Sequence, residues 1–245
     1  MSKKPKSSLM SKKPKSSELH PGPGFRIKGT TARPAGQLVE KFWMYDTPDI
    51  SDLQNRLYTM DPGIKNLTNQ KKIVGPACTV KVFPGDNLMV HKALDIASPG
   101  DIVVVDAGST SLNGIIGDLI GTKAKYRGIA GFVIDGLIRD LPGLKDVGLP
   151  VYARGITPIG PLHRGPGEIN FVVSCGGIAV SSGDIVCADA NGVVVVRKEF
   201  AEELLLRLAT QREELQNYIE NVRKGMFSNE WVDNTLKDND CLFVD

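Results

Sequence analysis

DIVVVDAGSTSLNGIIGDLIGTKAKYRGIAGFVIDGLIRD, residues 101–140, holds two short apolar runs separated by a glycine-containing turn and a helical repeat. The run at 101–106 is apolar between turn signals, as in a strand buried on both faces. Ile115, Ile116, Leu119 and Ile120 give 113–126 helical spacing, and Arg127-Gly128 ends it. The IAGFVID run at 129–135 then reads as a second buried strand. Strand, helix and strand in that order predict an α/β body.

Outward from this unit the alternation continues. PACTVKVF at 76–83 is a predicted strand ending at Pro84-Gly85. Asp86 then stands where it can cap a helix through Leu88, Val90, Ala93 and Leu94, which Ser98-Pro99-Gly100 stops. Thr47-Pro48 open a helix predicted over 49–60, with Ile50, Leu53 and Leu57 on one stripe. Downstream, strands are predicted at 149–153, 169–180, 184–187 and 192–196, with Gly176-Gly177 and Gly183-Asp184 as turns. A long helix follows at 198–224, where Leu204, Leu208, Leu215, Tyr218, Ile219 and Val222 recur every three to four residues. At about 40 Å it could either cover the sheet or reach a neighbour.

With 245 residues, 41% apolar and 24% charged, the chain can bury one sizeable core, and 35–245 is expected to form a single domain. The net charge of +2 is unevenly spread. Six lysines and no acid lie in 1–17, where MSKKPKSS at 1–8 recurs at 10–17. That octamer has no apolar face, so 1–34 is expected to be a disordered basic arm and linker. Without those lysines 24 basic side chains face 28 acidic ones. Such a mildly acidic body is a poor match for phosphate backbones, so no nucleic-acid partner is expected. No run approaches the roughly 18 apolar residues of a membrane span, and no apolar signal segment is visible. A cytoplasmic protein with no membrane partner is therefore expected. Cys78, Cys175, Cys187 and Cys241 form no C-x-x-C, which suits reduced thiols rather than a disulfide framework or zinc.

Three polar segments follow apolar strands, where loops carry function. The first runs from Asp106 through Gly108, Ser109, Thr110 and Gly114 to Gly117, Asp118, Leu119 and Ile120. It could present backbone N–H groups to a carboxylate or phosphate, or be only a tight strand–helix turn. No dinucleotide or P-loop pattern is present. The second is Arg139-Asp140, where a guanidinium can fork onto a carboxylate or enolate and a carboxylate can ligate a hard cation. A surface ion pair or helix cap would give the same two letters. The third, Arg154 to Glu168, contains His163, a possible base; its many turn residues favour a structural loop.

In order along the chain, GDN at 85–87, PGDIVVVD at 99–106, GDLIGTKAKYRGIAGFVIDGLIRD at 117–140, YARGITPIGPLHRGPGE at 152–168 and SCGGIAVSSGDIVCADANGVVVV at 174–196 resemble the RraA-like family. The resemblance covers roughly 76–196. That family contains 4-hydroxy-4-methyl-2-oxoglutarate and 4-carboxy-4-hydroxy-2-oxoadipate aldolases together with protein regulators of ribonuclease E. It implies an α/β/β/α sandwich resembling the swivelling phosphohistidine domain, with a long C-terminal helix, in homotrimers or homohexamers with intersubunit sites. Aldolase members carry G-D-L-[LI] and, some twenty residues later, R-D; this chain has Gly117-Asp118-Leu119-Ile120 and Arg139-Asp140. Regulators typically lose the first element and the Asp of the second.

The resemblance further implies a class II aldolase acting on 4-hydroxy-2-oxo dicarboxylic or tricarboxylic acids. Amides of Gly117, Asp118, Leu119 and Ile120, with the Arg139 side chain, would hold the pyruvyl carboxylate and oxo oxygen. Asp140 would ligate Mg²⁺ or Mn²⁺, and Asp118 would reach it through water. Arg139 and Asp118 are thus the expected catalytic pair, with a cation-associated water as the expected base. An acid from a neighbouring subunit's C-terminal helix falls near Glu213 or Glu214. Oxaloacetate decarboxylation is an expected side activity, since both reactions release pyruvate enolate. The alternative is a non-catalytic regulator binding the ribonuclease E machinery, against which the paired Asp118 and Asp140 count. Methyl transfer to a quinone is disfavoured because no glycine-rich nucleotide motif is present.

Overall fold

The computed structural model describes residues 19–244 apart from Gln70 and Thr110, so the two basic octamers lie outside the described residues. In chain order the elements are β1 (Phe25–Ile27), α1 (Gly36–Lys41), a 3₁₀ turn (Phe42–Met44), α2 (Thr47–Asp52), β2 (Lys65–Asn66) and β3 (Ile73–Val82). Then come α3 (Leu88–Ile96), β4 (Ile102–Asp106), α4 (Asp118–Tyr126), β5 (Gly131–Ile138), α5 (Leu141–Val147) and β6 (Val151–Ile156). The rest are β7 (Gly167–Ile169), β8 (Val173–Cys175), β9 (Ile178–Val180), β10 (Ile185–Asp189), β11 (Gly192–Val196), α6 (Ala201–Arg223) and α7 (Glu230–Asp238).

β3, β4, β5 and β6 form a parallel block, as strands linked by helices must. β7 and then β1 extend it beyond β3, and β2 extends it beyond β6. β3 is long enough to serve two sheets. Its residues 77–81 pair with β4, while 73–76 pair antiparallel with β10, which carries β11.

Side-chain alternation with period two turns these pairings into layers. On one face Val103, Val105, Phe132 and Ile134 share a core with Val90 and Leu94 of α3, Ala124 of α4 and Leu144 of α5. On the other, Ile102, Val104, Val133 and Tyr152 pack with Val173, Cys175, Val186 and Val195. The outer face of the second sheet, Ile185, Cys187, Val194 and Val196, is covered by Phe42, Ile50 and by Leu204, Leu205 and Leu208 of α6. The order is α/β/β/α, with a long C-terminal helix, as expected. Burial raises the Cys78 and Cys187 thiols to about 12, consistent with inert core positions. Among the described residues no helix is long and apolar enough to cross a membrane.

Several boundaries differ from the sequence expectation. Residues 25–27, expected in the linker, form an edge strand parallel to β7. Arg33, in the same segment, grips Asp101 with both terminal nitrogens. Asp101 is 1% exposed, and it also accepts the Ser98 N–H at 2.8 Å. Arg33→Ala is therefore expected to cost about 1.5–3 kcal/mol, the scale of a hydrogen bond to a charged group. Urea unfolding at neutral pH would reveal this as a lower midpoint. The helix expected over 49–60 stops at Asp52, because Asn55 and Arg56 take left-handed backbone. The strand expected over 169–180 is broken into β7, β8 and β9. Helix α7 was not foreseen.

Candidate active site

β4 and β5 run together as far as Asp106 and Asp135. Past that point the chain leaving β4 turns away, and a later segment fills the gap beside β5. Gly114 bridges Leu137 in parallel, and the Ile115 N–H donates to the Leu137 carbonyl at 2.8 Å. The β5–β6 register shifts between Ile134 and Leu137, a bulge of the kind that re-aims a strand's last side chains. Arg139 N–H then donates to the Ile116 carbonyl at 3.0 Å. These bonds fasten 114–117 beside 137–140, at the carboxyl end of the parallel strands where open α/β sheets take ligands.

The same bonds explain why α4 begins at Asp118 rather than near 113. Gly114 N–H is committed to the Ile159 carbonyl at 2.8 Å, so tertiary pairing overrides the helical spacing of Ile115 and Ile116. Gly117 caps the helix in an extended conformation. Gly121 N–H bonds the Gly117 carbonyl, and Leu119 N–H bonds the Asp118 carboxylate at 2.7 Å. Among the described residues the amides of Gly117, Asp118 and Ile120 have no hydrogen-bond partner, so three of the four expected amides point out of the helix end unpaired. That of Leu119 does not.

Gly117 is dictated by closeness. A Cβ there would lie 2.3 Å from Asp140 Oδ2 and 3.3 Å from Arg139 Cγ. Asp140 itself adopts left-handed backbone, φ 54° and ψ 41°, which costs a non-glycine residue about 1–2 kcal/mol. Strain of this kind gathers at functional sites. Here it starts α5 and turns the carboxylate back toward Gly117 and Arg139. Arg139 Nε lies 3.1 Å from Asp140 Oδ2, with the side chains 40% and 43% exposed. The guanidinium also rests on the backbone of Gly160, whose Cβ would be 2.7 Å from Nη1.

All six expected residues, Gly117, Asp118, Leu119, Ile120, Arg139 and Asp140, line one cavity of about 270 Å³. Asn87, His91 and His163, which were not placed there by the sequence, also line it, together with Ile115, Ile116, Gly160 and Pro161. The 159–164 loop is fixed to it: Asn113 Nδ2 donates to the Gly160 carbonyl at 2.6 Å, and Arg164 N–H to Asp86 Oδ2 at 2.6 Å. His163 Nδ1 meets Asn87 Oδ1 at 2.6 Å. The expectation that His163 sits in a merely structural loop is thus corrected. The loop is structural, but it also carries this ring to the pocket. No local spacing signals a pair 76 residues apart; the GDN motif containing Asn87 was the available clue.

Among the described residues no three His, Cys, Asp or Glu side chains come together as a metal cage. Asp140 and Asp118 nevertheless offer hard oxygen donors to one pocket. One or two carboxylates, completed by water and substrate oxygens, suit Mg²⁺ or Mn²⁺ and do not suit zinc. Other acids in the expected segments are used elsewhere. Asp106 pairs with Lys81 and Asp135 with Arg154, and both accept backbone N–H bonds from β8 and its turn. Glu213 and Glu214 are exposed on α6, beyond Leu208, the last buried side chain of that helix.

The family model RraA-like (Aldolase/RraA) matches residues 47–195, which include every residue of this pocket. A protein of Halalkalibacterium halodurans, provisionally named 4-hydroxy-4-methyl-2-oxoglutarate aldolase, is 42% identical over 167 residues, 68% of this chain and 80% of its own. A Hahella chejuensis protein with the same provisional name is 34% identical over 62% of this chain and 92% of its own. Among solved structures, Streptomyces coelicolor RraAS2, described as an unusual member of the RNase ES inhibitor RraA protein family, superimposes with a TM-score of 0.71. It is 29% identical, over 78% of this chain and 99% of that one.

Proposed function

The chain belongs to the RraA-like family, and on that premise we propose that it is a divalent-metal-dependent aldolase releasing pyruvate from 4-hydroxy-2-oxo acids that carry two or three carboxylates. The observation that carries this reading is the convergence of unpaired helix amides, Arg139, Asp118 and Asp140 on one cavity. The substrate's 1-carboxylate would lie at the amides of Gly117, Asp118 and Ile120, where the helix dipole favours an anion. Arg139, its Nε held by Asp140, would turn its terminal nitrogens to the C2 oxygen. Negative charge grows on that oxygen as the C3–C4 bond breaks, so a fixed guanidinium helps the transition state more than the ground state. The chemistry that a cation held by Asp140, with Asp118 nearby, supplies there is Lewis-acid polarisation of the oxo group. Oxaloacetate decarboxylation would use the same electron sink.

A regulator of the RNase ES inhibitor kind, the family of which RraAS2 is described as an unusual member, would need none of this. Two acids beside a fixed Arg at a helix N-terminus would then be idle polar groups in a pocket.

The reading includes assembly, as a trimer or hexamer with sites between subunits. α6 is buried only through Leu208; Leu215, Tyr218, Ile219 and Val222 beyond it are exposed, and nothing in α7 is buried. An apolar stripe on a projecting helix suits packing on a second copy, which would also carry Glu213 or Glu214 toward a neighbouring pocket.

The test is pyruvate release, coupled to lactate dehydrogenase, from 4-hydroxy-4-methyl-2-oxoglutarate and from oxaloacetate. Mg²⁺- or Mn²⁺-loaded protein is expected to turn over both, and EDTA-stripped protein neither. Equal activity after stripping would rule out the metal-dependent mechanism; no pyruvate from either substrate would rule out the aldolase.

A further inference from the structure

We propose that Arg154, which does not line the cavity, is a positioning residue for Arg139: it closes a hydrogen-bonded ring that holds the β5 bulge open, and the bulge sets where Arg139 leaves the strand. This assignment rests on the aldolase reading and adds a residue to it.

The bulge has a definite composition. Ile134 pairs with Ala153 and Leu137 with Gly155, so Asp135 and Gly136 together face Arg154 alone. Two residues against one is the defining count of a β-bulge, and the extra residue gives up its place in the ladder. Gly136 fits because a Cβ there would lie 2.9 Å from the Ala107 Cβ. The residue opposite the bulge is also the one whose side chain reaches into it.

Four residues close the ring. Arg154 Nε donates to Asp135 Oδ1 at 2.5 Å, and Gly176 N–H donates to Asp135 Oδ2 at 2.7 Å. Asp61 N–H donates to the Gly176 carbonyl at 2.9 Å, and Asp61 Oδ2 returns to Arg154 Nη1 at 3.4 Å. Asp61 is itself fixed by the Gly63 N–H at 2.6 Å. Asp135 is buried, so its carboxylate depends on these partners in place of water. A guanidinium suits the task because one planar fork spans both acids.

What lies beyond the bulge is the catalytic end of β5. Ile115 N–H donates to the Leu137 carbonyl at 2.8 Å, Thr157 N–H to the Ile138 carbonyl at 2.9 Å, and Arg139 N–H to the Ile116 carbonyl at 3.0 Å. All three bonds assume the register that the bulge imposes. Closing it by one residue would move Leu137, Ile138 and Arg139 by about 3.3 Å and turn each side chain to the other face. Arg154 therefore acts on the reaction through Arg139 and not by touching substrate.

The test is a double-mutant cycle on kcat for pyruvate release, with Mg²⁺ saturating and melting curves beside it. Arg154→Met is expected to lower kcat by about 10–10²-fold, the scale of a displaced catalytic group, while KM changes little. In an Arg139→Ala background the same substitution is expected to add almost no further loss, because the group it positions is already gone. Arg154→Lys keeps a cation beside Asp135 without the fork to Asp61, and its kcat is expected between wild type and Arg154→Met. Should Arg154→Met melt too early to assay, the cycle with Arg154→Lys gives the same reading. Equal fold losses in both backgrounds would mark Arg154 as general structural support and overturn the assignment, as would wild-type kcat in Arg154→Met. Either result leaves the aldolase reading standing. Wild-type protein that releases no pyruvate overturns that reading, and this assignment with it.

Discussion

Arg139→Ala is expected to lower pyruvate release by about 10²–10³, the loss seen when one donor to a developing oxyanion is removed. The effect should be large because this side chain is held before substrate arrives. Its backbone N–H is tied to Ile116, its Nε lies 3.1 Å from Asp140, and its terminal nitrogen packs against Gly160. Little reorganisation is left for the transition state, which is the condition under which a charged donor acts most strongly. Arg139→Lys separates charge from geometry. An ammonium keeps the charge but cannot span Asp140 and the oxo oxygen with one planar fork. Its turnover is expected between those of wild type and Arg139→Ala. The measurement is kcat with saturating Mg²⁺, alongside thermal melts showing that the variants stay folded. Near-normal turnover in Arg139→Ala would remove the residue from the mechanism.

What the sequence made legible follows from which interactions are local. The buried strands at 101–106 and 129–135 announce themselves because a strand covered on both faces is apolar at every position. Gly117–Ile120 and Arg139–Asp140 were visible as polar punctuation after such runs, and the family pattern joined them. The residues themselves could not show that the two segments touch. That contact depends on Gly114 and Ile115 taking the place next to β5 that β4 vacates, a long-range pairing that also moved the helix start. The Leu119 amide, expected with its neighbours to face the substrate carboxylate, donates in this structure to the Asp118 carboxylate, a bond that sequence spacing does not announce. His163 stood out as a possible base and Asn87 lay in the GDN motif, but that the two side chains meet lay beyond local reasoning. Turn residues around His163 correctly indicated a fixed loop, but not the surface on which that loop is fixed. Likewise Phe25–Ile27 lacks any periodicity of its own and becomes a strand only because β7 offers an edge.

Asp140→Ala is expected to abolish metal-dependent turnover, and Gly117→Ala to lower it by about 10²-fold without removing any functional group. The second substitution is the more exacting. Its new methyl would stand 2.3 Å from Asp140 Oδ2, far inside van der Waals contact, so the carboxylate must swing away. The atom that yields is the end of a short side chain rather than backbone, and Gly117 has extended dihedrals that alanine accepts. The fold should therefore be almost unaffected while the carboxylate moves by about an ångström, a displacement that costs orders of magnitude in a positioned site. The swing also loosens the contact with Arg139 Nε, so cation affinity and oxyanion stabilisation should weaken together. Isothermal titration with Mn²⁺, run beside kcat and a melting curve, reads all three quantities. A Gly117→Ala protein with wild-type melting, Mn²⁺ affinity and kcat would mean that Asp140 does not act from the position facing Gly117, and the proposed metal site would have to be sought elsewhere. Loss of affinity and turnover at an unchanged melting temperature would tie the function to that one close approach.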